Sequence, residues 1–308
     1  PAPRMLVVNA ARGGLIDEEA LADAISSGHI GGAGIDVYKT EPTTSSPLFE
    51  LEKVVATPHL GASTAEAQDR AGTDVAVSVR AALRGDFVPD AVNVQGGAVG
   101  EEVRPYLPLT QKLGSLLAAV LGATPTSVTV EARGELADED VSVLQLAAMR
   151  GVFAGAVDSQ VTFVNAPQLA EDLGVSVEVK TTAESPNHRS VVSLRAGMPD
   201  GRTAVVSGAL SGANLVEKLV EVNGRHFDLR AEGNVLLLEY PDRPGVMGKV
   251  GTLLGEVGVN IDAATVSQTS ERSDAIMLLR VDRPVEAGVL EPIGAAVGAR
   301  IVRTVSFE

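Results

Sequence analysis

Apolar and polar residues change period along this chain, and the changes mark its elements. Met5-Leu-Val-Val8 is a short apolar run that ends at Asn9, as a buried strand does. A loop follows to Ile16. Asp17 then caps a helix over roughly 18–26, with acids in its first turn and Gly28 just past its end. Residues 33–37 and 54–56 read as further strands. Strand, loop, helix and strand in this order predict a parallel sheet with crossover helices. Ser63-Thr-Ala-Glu66 has the spacing of a capping box, opening a long helix with Val75, Val79 and Leu83 among its apolar positions and Gly85 at its end. Residues 87–94 read as extended, and Gly96-Gly97 marks a linker with a boundary near 98.

Beyond the linker the pattern predicts α+β structure. Helices are expected over 104–121, 141–154 and 167–173, and strands over 128–132, 175–179, 190–194 and 203–206. The tail is more regular. A strand over 235–240 leads through Pro241-Asp242-Arg-Pro244-Gly245 into a helix carrying Val246, Val250, Leu253, Leu254 and Val257, which Gly258 closes. Strands over 260–266 and 275–281, a helix over 285–297 and a strand over 300–305 complete a βαββαβ, ferredoxin-like order.

Composition narrows the function classes. A length of 308 residues suits about two domains. Aromatics are 3% and Trp is absent, so the core is aliphatic, as in α/β layers. The net charge of −15 argues against general nucleic-acid binding. There is no cysteine, which excludes disulfides and thiolate chemistry. His29, His59, His188 and His226 show no metal-ligand spacing, so no metal site is expected. No apolar run reaches the ~18–20 residues that span a bilayer, and a soluble, cytoplasmic protein is expected with no membrane partner.

Candidate chemistry gathers in three N-terminal strings: Asn9-Ala-Ala-Arg12-Gly-Gly14, Gly34-Ile-Asp36-Val-Tyr-Lys-Thr-Glu41-Pro42 and Thr57-Pro-His59-Leu-Gly-Ala-Ser-Thr64. Each follows a strand-like run. His59 is placed to take a proton from a hydroxyl as hydride leaves, with Glu41 as its orienting carboxylate. Arg12, beyond a strand's carboxyl end, can hold a substrate carboxylate bidentately. Singly, Arg12 and Glu41 read as surface charges, Asp36 as a turn residue, and His59 as a loop hydrogen-bonder at about even odds. The joint pattern carries the argument.

These strings resemble the D-isomer-specific 2-hydroxyacid dehydrogenases over residues 1–98. The resemblance implies an NAD-dependent oxidoreductase in which Arg12, Glu41 and His59 are catalytic. Ala10, Ala11, Arg12, Asp36, His59, Gly61 and Ala62 would line the cofactor pocket, Asp36 at the nicotinamide end. It assigns 1–62 to the C-terminal part of a doubly wound NAD-binding (Rossmann) domain and 63–98 to a returning segment of the substrate domain; residues 99–233 resemble the α+β intervening (allosteric substrate-binding) domain of longer members, whose ligand could be substrate or phosphate, and the ferredoxin-like unit at 234–308 resembles an ACT domain. The family's Gly-x-Gly-x-x-Gly loop is absent from these residues. The expectation is therefore an N-terminally truncated chain, inactive alone.

The tail implies a serine-pathway member that oxidises 3-phosphoglycerate and is inhibited by L-serine at Tyr240, Asp242 and Asn260. Lys218, Arg225, His226, Arg230 and Arg280 match an allosteric anion site, and four of them reverse the local sign of an acidic chain. A homo-oligomer, tetrameric when intact, is implied. The competing expectations are a serine- and anion-binding regulatory module without activity, and another dehydrogenase of the family acting on glycerate or formate.

Overall fold

The computed structural model describes residues 5–88, 90, 91, 99–268 and 273–307. The Gly96-Gly97 linker and half of the 87–94 segment lie outside them. The chain forms two compact units, Pro1–Val79 and Arg80–Glu308.

In the first unit β1 (Leu6–Asn9), β2 (Gly32–Ile35) and β3 (Val54–Ala56) form a parallel sheet in the order β1-β2-β3. Helix α1 (Glu18–Ser26) makes the first crossover, and its N-terminus is capped as expected, Ala20 N–H donating to Asp17 at 3.0 Å. The second crossover holds only a 3-10 turn at Pro47–Glu50, not an α-helix. Too few apolar positions recur at helical spacing between 36 and 53 to support one. Leu21, Ala22 and Ile25 of α1 pack on Ala33, Ile35, Tyr38 and Leu48, covering one sheet face. Helix α2 (Ala65–Leu83) begins one residue later than the capping-box spacing predicts: Thr64 Oγ1, not Ser63, accepts the Ala67 N–H, at 3.2 Å. Both hydroxyls suit an N-cap, and backbone geometry selects between them.

The second unit is built on two sheets. Its first part contains α3 (Tyr106–Leu121), β4 (Ser127–Gly134), α4 (Val143–Phe153), α5 (Ala166–Asp172), β5 (Ser176–Thr182), β6 (Ser190–Gly197), β7 (Thr203–Ser211), β8 (Val216–Val222) and β9 (Arg225–Arg230). The strands lie in the order β5-β4-β6-β7-β8-β9, with only β4 and β5 parallel. The pattern reading omitted β8 and β9. Then follow β10 (Gly233–Pro241), α6 (Val246–Glu256), β11 (Ile261–Gln268), β12 (Asp274–Val281), α7 (Ala287–Val297) and β13 (Ile301–Phe307). These give the expected βαββαβ unit, an antiparallel sheet in the order β11-β12-β10-β13.

Alternation along β10 and β12 serves two cores. Leu236, Leu238, Met277 and Leu279 pack under α6 and α7. Val235, Leu237, Ile276 and Leu278 face the other way and join the core of α3, α4 and the six-stranded sheet. Lys112 of α3 adds a polar tie, donating to Glu217 at 2.7 Å and to the Ala231 carbonyl at 2.9 Å.

Candidate active site and effector residues

The three N-terminal strings emerge at the carboxyl ends of β1, β2 and β3, the edge where open parallel sheets bind ligands. After β1, the buried Asn9 side chain braces the turn: it donates to the Arg12 carbonyl at 3.0 Å and accepts the Ala11 N–H at 3.2 Å. Arg12 itself is exposed and spends one N–H on the Ala11 carbonyl, at 2.8 Å. Most of its five donors remain for a ligand. Gly13 lies so close to the next string that a Cβ there would sit 1.8 Å from the Tyr38 carbonyl oxygen.

After β2, Asp36 turns inward and holds the third string. Its carboxylate accepts Thr57 Oγ1 at 2.5 Å and the N–H groups of Leu60 and Gly61 at 2.7 Å each. The Thr57 hydroxyl, then the Leu60 amide, hold the Asp36 carboxyl below the usual carboxylate range. This anchoring fixes His59, whose φ of 57° is left-handed, a region where His is enriched among non-glycine residues. Glu41 reaches His59 from the same string. Its Oε2 lies 2.7 Å from His59 Nδ1, and its Oε1 accepts the Tyr38 N–H at 2.8 Å. The Tyr38 amide and then His59 depress the Glu41 carboxyl. A carboxylate can only accept here, so Nδ1 carries a proton, and in the neutral ring Nε2 then holds the lone pair that a general base needs.

Two hollows flank these loops. One of about 560 Å³ is lined by Tyr38, Glu41, Phe49, Thr57 and His59 among others. The other, about 360 Å³, lies over the strand ends and includes Ala10, Gly34, Asp36 and Gly61. That second hollow suits the nicotinamide end of NAD. Its walls are small, and Asp36 uses three of about four acceptor directions, leaving one for an amide donor. Ala10, Asp36 and Gly61 therefore share one cleft, while Ala11 and Ala62 are not among its lining residues. Among the described residues no acidic or His cluster could hold a metal ion. No helix among them is long and apolar enough to cross a membrane.

The Asp36 cage makes acid stability testable. Its folded pKa lies below the unfolded value, so its contribution is present above the unfolded carboxylate range and lost as pH falls through the folded value. Asp36→Asn is expected to lower Tm most at neutral pH, with the gap to wild type closing towards pH ~3, below the unfolded Asp value. Thermal unfolding across that range checks it, and a pH-independent gap would contradict the cage.

The effector residues are arranged less simply. Tyr240 is buried on β10, its hydroxyl pushed up by burial and by Asp242. Asp242 precedes α6 and Asn260 follows it, so the eleven-residue helix, ~16 Å long, separates them in one chain. The Asn260 amide donates to Asp262 at 3.3 Å. Of the cations, Lys218 and Arg230 are register partners on neighbouring strands. Lys218 pairs with Asp228 at 2.6 Å, while Glu232 lies 2.5 Å from Arg280 and 3.8 Å from Arg230. His226 sits farther along β9, opposite Glu221. Arg225 alternates in phase with the core residues Phe227 and Leu229, so it faces away from His226 and Arg230. Its Nε is buried without a hydrogen-bond partner among the described residues.

Sequence comparison finds similar proteins for all three parts of the chain. Residues 2–61 match the D-isomer specific 2-hydroxyacid dehydrogenase NAD binding domain, 102–223 the D-3-phosphoglycerate dehydrogenase intervening domain, and 234–298 the ACT domain. The N-terminal part of the chain is therefore similar to the NAD binding domain of D-isomer specific 2-hydroxyacid dehydrogenases. The chain is also similar to curated D-3-phosphoglycerate dehydrogenases: that of Mycobacterium leprae is 59% identical over 99% of this chain and 58% of its own length. That of Mycobacterium tuberculosis is 59% identical over 96% and 56%, and that of Bacillus subtilis 32% over 93% and 55%. The chain thus spans little more than half the length of these relatives.

Strings marked by Gly, Pro and a titratable group were readable in advance. The bracing residues Asn9, Gly13 and Thr57 were not singled out for these roles. Asn9 at a strand end and Thr57 before Pro58 are the signals that would have pointed to them.

Proposed function

We propose that this chain carries the acid–base machinery of a cytoplasmic, NAD-dependent oxidation of 3-phospho-D-glycerate to 3-phosphooxypyruvate, feeding L-serine synthesis. The observation that carries the reading is the 2.7 Å His59–Glu41 pair at the carboxyl edge of a parallel sheet, with Arg12 on the adjoining string. NAD, when bound, supplies the hydride acceptor. Arg12 holds the substrate carboxylate with its free donors. His59 Nε2 takes the proton from the 2-hydroxyl, and Glu41 stabilises the imidazolium through Nδ1. The Asp36 cage keeps His59 in place.

Substrate identity is supported by the intervening and ACT domain matches. Feedback by L-serine fits Asp242 and Asn260. Because α6 separates them, a serine site using both takes one from each of two copies, in keeping with a homo-oligomer, tetrameric when intact. Lys218, Arg230 and Arg280 form the anion site, where an incoming phosphate or substrate competes with Asp228 and Glu232 for their charge.

The test is a reductase assay of the intact enzyme. It is expected to reduce 3-phosphooxypyruvate far faster than hydroxypyruvate, with inhibition by L-serine. Preference for hydroxypyruvate would move the assignment to another 2-hydroxy acid, and serine binding without any turnover would reduce the chain to a regulatory module.

A further inference from the structure

Glu18 lies in the first turn of α1, where an acidic side chain is explained by the helix dipole. The structure uses it otherwise. Asp17 already caps the helix, and the Glu18 carboxylate reaches out of α1 to the string that bears Glu41. Its Oε1 accepts the Lys39 N–H at 3.0 Å, and its Oε2 accepts the Ser46 hydroxyl at 2.8 Å. Ser46 is buried, and its Oγ also accepts the Leu48 N–H at 3.4 Å, so it is a fixed anchor. Glu18 therefore grips the turn at both ends, with Glu41 between them.

The consecutive amides of Tyr38 and Lys39 are divided between two carboxylates. Tyr38 N–H goes to Glu41 and Lys39 N–H to Glu18. Glu41 has to satisfy Tyr38 N–H with one oxygen and His59 Nδ1 with the other. Remove Glu18, and the Lys39 amide is released beside Glu41 as a competing donor while the Ser46 end of the turn loses its tie. Either change draws the Glu41 carboxylate away from His59.

We propose that Glu18 is a positioning residue for the Glu41–His59 pair, an inference that rests on the acid–base reading above. Glu18 touches neither substrate nor cofactor in this role. It acts by holding Glu41 where it keeps the proton on His59 Nδ1.

The experiment is long-range ¹⁵N NMR of the His59 imidazole in this chain, assigned by comparison with His59→Asn. The wild type is expected to show the Nδ1–H tautomer. Glu18→Ala is expected to convert a substantial share to Nε2–H. Glu18→Gln is expected to restore the wild-type pattern, its carbonyl accepting Lys39 N–H and its amide donating to Ser46. In the intact enzyme Glu18→Ala should lower kcat about tenfold or more with KM for NADH unchanged, the scale of a misplaced catalytic group. A wild-type tautomer in Glu18→Ala overturns the proposal, including when Tm falls, because an acid that merely supports α1 affects stability alone. Retained turnover in His59→Asn would instead overturn the acid–base reading, whatever the tautomer shows.

Discussion

His59→Ala abolishes hydride transfer in the intact enzyme and leaves its affinity for NADH unchanged: this is the result the site geometry leads us to expect. General acid–base catalysis contributes about 10²–10⁴-fold, and the only imidazole on these three strings is that of His59. No neighbour can substitute, because the Glu41 carboxylate is committed to Tyr38 N–H and Asp36 to Thr57, Leu60 and Gly61. NADH affinity should survive for a structural reason. The cleft over the strand ends is shaped by backbone amides held on Asp36, and these bonds do not pass through the His59 side chain. Backbone strain is a confounder, since φ at His59 is 57° and Ala is poorly suited to it. His59→Asn removes that objection, because Asn adopts the left-handed region readily. Glu41→Gln should fall between wild type and these variants, keeping an acceptor for Nδ1–H but losing the charge that stabilises the imidazolium. Single-turnover kinetics with a parallel NADH fluorescence titration separates the two effects. Near-normal turnover in either His59 variant would remove it from the mechanism.

The parts of this molecule that were readable in its sequence share one property: their signal is local. A run such as Met5–Val8, a cap such as Asp17 and the 3.6-residue spacing of Val246, Val250 and Leu254 each report on the segment that contains them. The signal of strands β8 and β9 is equally local but masked by charge. Lys218, Arg225, His226 and Arg230 read as a basic cluster, while Leu219, Val222, Phe227 and Leu229 alternate beneath it around an Asn223-Gly224 turn. Folding that stretch as a hairpin also sorts the cluster, because period-two alternation turns Arg225 away from His226 and Arg230. The three N-terminal strings are legible for the same local reason, but what holds them is not. Asp36 to Gly61 and Glu18 to Ser46 are bonds between residues 25 and 28 apart in sequence. Such pairings are set by which strands lie side by side, and no single segment contains that information.

The second large effect belongs to the core of the other unit. Gly151→Val is expected to destabilise residues 80–308 severely. Helices α3 and α4 meet backbone to backbone: a Cβ at Gly151 would lie 1.9 Å from the Gln111 carbonyl oxygen, and one at Gly114 would lie 2.4 Å from that of Ala148. Neither obstacle is a flexible side chain that can swing aside, so the helices must separate. Separation strips contacts from Leu113, Leu117, Leu144 and Ala148, all fully buried in the core that also takes Leu237 and Leu278 from the β10–β13 sheet. Overpacking of this kind costs about 1–3 kcal/mol and sometimes more. At ~2–4 °C per kcal/mol for a unit of this size, Tm should fall by about 2–12 °C. Gly155→Ala is the matched control, since a Cβ there meets nothing within 4 Å and the substitution only restricts the unfolded chain. Calorimetry of the two variants decides the matter. If Gly151→Val melts with wild type, α3 and α4 have room to part, and the close crossing is not what ties the ACT sheet to the rest of its unit.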